Sequence, residues 1–390
     1  MENPLVSVVI PSYNHSLFIL DRIRSVEEQN YDNMEIIFVD DASSDNTLKL
    51  VETYCWKRPH KIVKAKRNSG MPFAQWKRGC DLAAGDLIWI AESDDLVINR
   101  FLSILVPIIA EPDIDLVFCD SIKIGPDYTY KNLLEEEGGA LRKDSFGISK
   151  ILGRSYIFEK LAMGNVIENV SGVIFRKDLL MRHIGRIANY RYMGDWLLYI
   201  DIANRGTLCH VSSPMNYFRQ HAATTRSAKR SDKDLAKFCD EYDSVQERLA
   251  ELKVFDKAAA RAKSLELRNR IGRVARATSN NVLLRIEKDY FSSGCGRIVL
   301  WGMGQIGRTV FSHMSSVVPP YKVVAIDKNP TWVSSLSNEP VISPDNYFLS
   351  EFKLDDFLLI CTLDYESQII SILGSKKNRL TIKRLSDYVY

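Results

Sequence analysis

Carboxylate side chains follow two apolar runs of this sequence directly. The first run ends in Asp40 and Asp41, and the second is followed by Glu92, Asp94 and Asp95. Carboxylates favour hard cations such as Mg²⁺ and Mn²⁺, which take their remaining ligands from phosphates and water. The two groups therefore predict a cation site for a phosphate-bearing ligand. Turn formation and helix capping remain the alternative for either group alone.

A sheet is needed to bring these carboxylates together. Apolar runs at residues 6–10, 35–39, 87–91 and 116–119 predict strands, and residues 17–29 and 47–55 predict helices. Alternation of strand and helix at this spacing is a βαβ pattern, which implies a parallel sheet. Ligands of open α/β sheets bind at the carboxyl ends of the strands. Both acidic groups are therefore expected at the binding edge.

The composition and the predicted secondary structure change twice along the 390 residues of the chain. This length suggests two or three domains. We predict an α/β domain at residues 1–227, a helical connector at 228–292 and a small α/β domain at 293–390. Residues 135–139, with three glutamates and two glycines, are predicted to be an exposed loop.

Composition excludes several classes of protein. A net charge of +3 is too balanced for a nucleic-acid binder. No apolar run reaches the roughly 20 residues that a spanning helix requires, and the first residues do not resemble a signal peptide. The seven cysteines are scattered without a CxxC pair, which argues against a disulfide framework or a zinc site and favours a reducing cytoplasm.

A series of short segments carries a family resemblance. They are Pro11-Ser12-Tyr13-Asn14, residues 39–45, Asn68-Ser69-Gly70, residues 84–86, 92–95, 171–176 and 194–198, and residues 217–221 followed by Thr224-Thr225. In this order and spacing, over about residues 4–226, they resemble the family 2 glycosyltransferases. That family has the GT-A fold, uses nucleotide-activated sugars and inverts the anomeric carbon.

The resemblance implies a donor pocket at the first strand ends. Pro11, Tyr13 and Asp41 would line the pocket for the base, with Asp41 accepting a hydrogen bond from it and Asp40 supporting Asp41. The turn that contains Asn68 and Gly70 would also contact the nucleotide sugar. Packing of Tyr13 on the sheet is the alternative for that residue.

The resemblance also implies a metal site. Glu92 and Asp94 occupy the positions of the family's Asp-x-Asp motif, and Asp94 would bind the Mn²⁺ or Mg²⁺ that bridges the diphosphate. Glu92 and His221 are expected as further metal ligands, with Ser93 and Asp95 beside the nucleotide sugar. A surface-loop role is the alternative for His221.

Asp195 matches the family's catalytic base. An attacking hydroxyl must lose its proton, and a carboxylate within about 3 Å of it would contribute about 10²–10⁴-fold to the rate. Helix capping is the alternative for Asp195, and Trp196 is expected to be a core residue beside the site.

Two positions depart from the family pattern. Glu92 is one methylene longer than the usual Asp. The stretch after Gly70 lacks the usual Arg, so Lys77 or Arg78 is expected to replace it or the contact is absent.

The C-terminal region carries a second motif. Gly302, Gly304 and Gly307 lie between a predicted strand and a predicted helix, and Asp327 ends the next strand. This context fits a dinucleotide fingerprint, in which glycines let the backbone approach a pyrophosphate. We expect a Rossmann-like domain in which the glycines serve strand–helix packing; a bound NAD-like ligand is the alternative.

The sequence as a whole predicts a metal-dependent inverting glycosyltransferase. The expected donor is a UDP-sugar, and the expected acceptor is a hydroxyl of a cell-surface glycan or a lipid-linked glycan. Nine basic residues between 257 and 288 leave peripheral association with the inner face of the membrane open, and homo-oligomerisation is also open. The rivals are a nicotinamide-dependent oxidoreductase centred on the C-terminal glycines and a non-catalytic glycan-binding scaffold.

Overall fold

A computed structural model describes most of the chain. The described residues are 3–139, 147–221, 231–319, 322–328, 341–348, 353, 355–362, 365–373 and 381–389. They form two compact units, residues 1–264 and residues 265–390. Thr224, Thr225 and Tyr321 lie outside the described residues.

The first unit alternates strands and helices along most of its length. Its strands are β1 (Val6–Ser12), β2 (Met34–Asp40), β3 (His60–Lys64), β4 (Leu87–Ile90), β5 (Leu96–Val97), β6 (Leu116–Ile124), β7 (Gly147–Leu152), β8 (Val173–Arg176) and β9 (Thr207–Arg219). Its helices are α1 (Ile19–Glu27), α2 (Thr47–Thr53), α3 (Pro72–Leu82), α4 (Phe101–Ile109), α5 (Tyr130–Gly139), α6 (Gly153–Tyr156), α7 (Lys177–Ile187), α8 (Gly194–Ala203) and α9 (Asp232–Glu251). A π-helical turn (Ile157–Leu161) and a 3₁₀ turn (Val170–Gly172) complete it.

A nine-stranded mixed sheet forms the centre of this unit. Eight strands run in the order β3-β2-β1-β4-β8-β6-β9-β5, and β7 pairs with β9. Strands β1 to β4 are mutually parallel where they pair, so their carboxyl ends lie at one edge. Apolar side chains fill both faces of the sheet. The predicted parallel βαβ beginning of an α/β fold is confirmed.

One predicted loop is wrong. Residues 135–139 form the last turns of α5 rather than an exposed loop tip. Three consecutive glutamates are good helix formers, and the two glycines that suggested a loop fall at the end of the helix, where glycine is common.

Gly79 of α3 lies where the helix packs closely on β1. A Cβ at Gly79 would be 2.2 Å from Val9 Cγ1, and Val9 is fully buried. We expect Gly79→Ala to destabilise the unit by about 1–3 kcal/mol, the usual effect of overpacking a core.

Gly185 of α7 is a matched control for Gly79, because a Cβ there would meet nothing within 4 Å. We expect Gly185→Ala to be neutral or to stabilise by up to about 1 kcal/mol through helix propensity. Thermal or urea unfolding of the two variants checks both signs. Equal effects would contradict the packing that the structure shows.

The predicted connector contains three helices. Helix α9 packs in the first unit, where Tyr242 contacts Trp196 with ring centroids 6.0 Å apart. Next come α10 (Lys257–Ala277) and α11 (Asn280–Ser293), and α11 buries Val282 and Ile286 in the second unit. The three-domain boundaries themselves stay a prediction.

The second unit contains a five-stranded parallel sheet. Its strands are β10 (Arg297–Trp301), β11 (Val323–Ile326), β12 (Val341–Ile342), β13 (Asp356–Ile360) and β14 (Thr381–Arg384), and its helices include α12 (Gln305–Val317), α13 (Pro344–Asn346), α14 (Glu366–Leu373) and α15 (Ser386–Val389). The strand order is β12-β11-β10-β13-β14, with every pair parallel. This order is that of the first five strands of a doubly wound sheet.

The glycine motif of the second unit packs tightly on itself. Gly302 has a φ of +98°, and a Cβ at Gly307 would lie 2.0 Å from the Gly302 carbonyl oxygen. Met303 N donates to Asp327 Oδ2 at 2.8 Å. Gly302 and Gly307 are thus needed for the turn between the strand and the helix. Asp327, which the sequence predicts to bind a ribose, instead accepts a hydrogen bond from this turn. The Rossmann-like assignment and a ligand there stay predictions.

Two expectations about the whole chain can be compared with the structure. All seven cysteines are free. The sequence analysis argued against a disulfide framework. Among the described residues, no helix is both long enough and apolar enough to cross a bilayer.

Candidate functional site

A pocket of about 510 Å³ opens at the carboxyl ends of β1 and β4. Its lining includes His15 after β1, Asp94 after β4, Asp195 at the start of α8 and Phe238 of α9. The volume lies within the range of small-molecule sites. Parts of the chain that are distant in sequence therefore meet at one cleft, on the edge where the sequence predicts ligand binding.

Three potential metal ligands lie close together, and two of them, His15 and Asp94, line this pocket. One ligand atom each of His15, Asp94 and His221 lies within 4.8 Å of the other two. Asp94 Oδ2 and His221 Nε2 are 2.9 Å apart, and their side chains are 13% and 6% exposed. Glu92, predicted as a ligand, is not in this group, and its Oε1 accepts a hydrogen bond from Trp76 Nε1 at 2.9 Å.

Ser93 acts on this group through His15. Its side chain is buried, and its Oγ is hydrogen-bonded to His15 Nδ1 at 2.6 Å. A hydrogen bond to one ring nitrogen fixes the orientation of the ring and leaves the other nitrogen for a ligand. The structure thus places Ser93 against His15, and its predicted contact with the nucleotide sugar stays a prediction.

Asp95 is committed to the framework of the site. It is 1% exposed. Its Oδ2 accepts from Asn169 Nδ2 at 2.8 Å and Ser171 Oγ at 2.6 Å, and its Oδ1 accepts from Arg219 N at 2.9 Å. These contacts tie the end of β4 to β9 and to the 3₁₀ turn. A carboxylate with three protein donors holds these segments together, and its predicted contact with the nucleotide sugar stays a prediction.

The carboxyl groups of this cluster differ in acidity. Burial, together with the charges of Asp94 and Asp95, raises the pKa of Glu92 to about 8. Burial and the charge of Asp94 raise the pKa of Asp95 to about 6. Burial also acts against ionisation of Asp94, but the charge of His15 and the hydrogen bond from His221 outweigh it and lower its pKa to about 2. Asp94 is therefore the carboxylate of the cluster that is most firmly ionised.

Asp195 lies in the first turn of α8. Its Oδ2 accepts from Asn165 Nδ2 and its Oδ1 from Trp196 N, both at 2.8 Å. The N-terminus of a helix favours a negative charge. The preceding Gly194 is required by packing, because a Cβ there would lie 2.7 Å from the Phe73 ring.

The loop before Asp195 is held by α9. Glu241 is 5% exposed, and its carboxylate accepts from the backbone N–H groups of Arg191, Tyr192 and Met193 at 2.7, 2.8 and 3.0 Å. Three charge-assisted bonds to consecutive amides fix the entry into α8. A residue beyond the predicted domain boundary at 227 therefore positions the candidate base.

The predicted base pocket is built around Asp41. Its carboxylate accepts from Ser69 N and Ser69 Oγ at 3.0 and 2.8 Å, and from Gln75 Nε2 at 2.8 Å. Asn68 and Gly70 form the adjacent turn, in which Gly70 has a φ of +65°. The structure brings Asp41 together with this turn, as the sequence suggested.

The loops that follow β1 and β2 lie at the predicted base pocket. Asp40 Oδ2 accepts from Ser43 N at 3.0 Å, which shapes the loop after β2. Pro11 is buried within β1, and Tyr13 is 41% exposed just beyond it. Asn14 and Ala42 both have positive φ angles, so the two loops turn sharply where β1 and β2 end.

Neither basic candidate for the missing arginine joins the pocket. Lys77 Nζ pairs with Asp81 Oδ2 at 2.7 Å, one helical turn away. Arg78 Nη2 donates to the carbonyl oxygen of Lys64 at 2.7 Å. The lining of the pocket includes neither residue, so both predicted donor contacts lack support in the structure.

Several residues of the site carry no sequence signal. His15, Asn165, Arg191 and Glu241 belong to no motif, and they reach the site through contacts between segments far apart in the chain. One sequence feature could have indicated His15, namely its position directly after the segment 11–14.

Comparison with known proteins identifies part of the chain. Residues 7–182 match the family model described as glycosyl transferase family 2. The glycosyltransferase GlyG of Streptococcus pneumoniae is 28% identical over 168 residues, 43% of this chain and 50% of that protein. The putative teichuronic acid biosynthesis glycosyltransferase TuaG of Bacillus subtilis is 37% identical over 94 residues, 24% of this chain and 36% of that protein.

A third relative also has a solved structure. The poly(ribitol-phosphate) beta-N-acetylglucosaminyltransferase TarS of Staphylococcus aureus is 30% identical over 113 residues, 28% of this chain and 20% of that protein. The crystal structure of its residues 1–349 with UDP-GlcNAc matches 65% of this chain and 69% of that chain, with a TM-score of 0.50 and 19% identity. The chain thus aligns with half or less of the length of these three relatives.

The match of residues 7–182 to the family model agrees with the similarity in fold to TarS. The sheet order places β1, β2 and β4 side by side, with the pocket at their carboxyl ends. Residues 7–182 of this chain are similar to glycosyl transferase family 2, and the chain has a GT-A-like fold that matches the fold of TarS.

Proposed function

We propose that the chain transfers a sugar from a nucleoside-diphosphate sugar to a hydroxyl group, with inversion at the anomeric carbon. The observation that carries the proposal is that His15, Asp94 and Asp195 line one pocket, with His221 next to Asp94. The pocket therefore offers a base for an attacking hydroxyl and a cation site for a leaving diphosphate.

The donor is proposed to be a UDP-sugar. The solved structure of TarS holds UDP-GlcNAc, and its fold is similar to that of this chain. Asp41 and the turn at Asn68 and Gly70 are proposed to receive the base, with Tyr13 above them. The polar, hydrogen-bonded environment of Asp41 suits a base with both donors and acceptors.

The donor set of the candidate metal site fits a divalent cation. Ligands about 2.1 Å from a metal and at right angles lie about 3.0 Å apart, and Asp94 Oδ2 is 2.9 Å from His221 Nε2. Imidazole nitrogens suit transition metals better than Mg²⁺, so we expect Mn²⁺ to be preferred. When bound, the cation supplies a Lewis acid that stabilises charge on the leaving diphosphate.

The remaining chemistry falls to this chain's own side chains. Asp195 takes the proton of the acceptor hydroxyl while that oxygen forms its bond to the anomeric carbon. The bond from that carbon to the diphosphate oxygen breaks, and the nucleoside diphosphate leaves with the electron pair. Asn165, which donates to Asp195 Oδ2, keeps the carboxylate oriented during the attack.

The acceptor is proposed to be a cell-surface glycan, free or lipid-linked. Two of the relatives are named for poly(ribitol-phosphate) and for teichuronic acid biosynthesis. Phe238, Tyr192 and Phe218 line the pocket, and the rings of Tyr192 and Phe238 have centroids 5.6 Å apart. Aromatic side chains of this kind present an apolar face that suits a sugar ring.

A thermal-shift panel tests the proposal without knowledge of the acceptor. UDP, GDP, dTDP and CMP are each added with Mn²⁺ and with EDTA, and NAD is added alone. A ligand at 100 times its dissociation constant stabilises the folded state by about 2.7 kcal/mol. We expect a shift with UDP that is lost in EDTA.

The rival functions give other patterns in this panel. A shift with NAD alone would contradict the proposal and favour an oxidoreductase based on the C-terminal glycines. No shift with any nucleotide would contradict it in favour of a glycan-binding scaffold.

A further inference from the structure

Arg191 is the permanent cation of the pocket. Among the described residues that line the pocket there is one arginine, Arg191, and no lysine. The same lining contains the carboxylates of Asp94 and Asp195. A diphosphate entering this acidic surface needs positive charge beyond that of one divalent cation, because like charges in a pocket repel it strongly.

Arg191 lines the pocket and also reaches a neighbouring turn. A Cβ placed on Gly70 would be 3.9 Å from Arg191 Nη1, so the guanidinium reaches the turn beside Asp41. Along the chain, Arg191 is four residues before Asp195. A group in this position lies between the proposed base pocket and the proposed reaction centre, where the diphosphate of a donor must lie.

The side chain of Arg191 can exchange its present partner for a ligand. Its backbone N–H is fixed by Glu241 at 2.7 Å, but its guanidinium is paired only loosely with Asp234, with Nη1 3.4 Å from Oδ1. The Arg191 side chain is 38% exposed. An ion pair this exposed contributes little to stability, whereas a guanidinium binds phosphate oxygens through two parallel hydrogen bonds.

We propose that Arg191 binds the diphosphate of the donor and replaces the arginine that is absent after Gly70. The inference rests on the proposed function and adds a donor-binding residue from another part of the chain. Lys77 and Arg78 do not take this role, because their side chains are engaged with Asp81 and with the Lys64 carbonyl.

The test compares UDP with uridine, which lacks the diphosphate. Dissociation constants for both are measured in Mn²⁺ by titration of the full chain, for the wild type, Arg191→Gln and Arg191→Lys. The control is Arg182→Gln, which removes an exposed arginine paired with Asp178 on α7. A charge-assisted hydrogen bond of typical strength corresponds to about 10–100-fold in affinity.

We expect Arg191→Gln to weaken UDP by about 10–100-fold and to leave uridine unchanged. Arg191→Lys should recover part of the loss, because lysine retains the charge without the planar fork. Arg182→Gln should bind both ligands as the wild type does.

Three results would overturn the inference. Equal weakening of UDP and uridine by Arg191→Gln would show a structural role. Unchanged UDP affinity with weaker binding of an anionic acceptor would place Arg191 on the acceptor side. A wild-type chain that binds neither UDP nor any other nucleoside diphosphate would overturn the proposed function itself, before the variants are compared.

Discussion

Asp195→Asn is expected to lower kcat for sugar transfer by about 10²–10⁴-fold, the range that a positioned general base contributes. Asparagine retains the shape, and its single oxygen can still accept one of the two hydrogen bonds, from Asn165 or from Trp196. It cannot take a proton from the acceptor hydroxyl. The rate of nucleotide release in the presence of acceptor measures the effect.

Two further observations distinguish a base from a helix cap. The donor affinity of Asp195→Asn should equal that of the wild type, because the carboxylate acts on the acceptor. Asp178→Asn, which changes an exposed carboxylate of α7, should retain full activity. A variant at Asp195 that keeps the wild-type rate would refute the assignment of the base, and a loss of folding stability without a loss of kcat would favour the cap.

Asp94→Asn is expected to weaken Mn²⁺ binding by at least about 100-fold. Loss of a residue that merely orients a metal ligand typically costs 10–100-fold, and Asp94 is the one carboxylate in the candidate group. The amide keeps the size of the side chain but removes its charge. Titration of Mn²⁺ followed by electron paramagnetic resonance measures the free and bound ion directly.

His15 and His221 extend this prediction. His15→Gln and His221→Gln should each weaken Mn²⁺ binding, because each removes one nitrogen from the group. His60→Gln is the matched control, since His60 stacks on Trp56 with ring centroids 4.6 Å apart, away from the group. Wild-type Mn²⁺ affinity in Asp94→Asn would contradict the metal site, and wild-type affinity in His15→Gln would remove that histidine from it.

Much of the fold follows from local pattern. The strands at residues 6–10, 35–39, 87–91 and 116–119 all exist, because β-branched runs bounded by turns have few other stable solutions. The GT-A fold class is confirmed. The error at residues 135–139 arose because glycine pairs indicate either a loop or a helix end, and local pattern alone does not decide between them.

The site was less predictable, because its geometry depends on long-range contacts. Motif positions gave Asp41, Asp94, Asp195 and His221, which the structure brings to the expected regions. Arg191 and Glu241 contact each other across 50 residues of sequence, and a single sequence carries no signal for such a contact. His15 contacts Ser93 across 78 residues, and only its place directly after the segment 11–14 indicated it.

Burial explains why the side chains of two motif residues are bonded to other protein groups. Ser93 and Asp95 occupy motif positions but are each 1% exposed. Their polar atoms are therefore taken by His15 and by the framework around β9. Motif membership indicated proximity to the site, whereas the direction of each side chain followed from packing.

The central claim is that the His15–Asp94–His221 group holds a cation that meets the diphosphate of a donor. The most direct test measures Mn²⁺ affinity of the wild-type chain with and without saturating UDP. Binding free energies couple reciprocally, so a shared site requires UDP to tighten Mn²⁺ and Mn²⁺ to tighten UDP by the same factor. We predict tighter Mn²⁺ binding with UDP and no coupling in Asp94→Asn. Mn²⁺ affinity that is unchanged by UDP, GDP, dTDP or CMP would contradict the account.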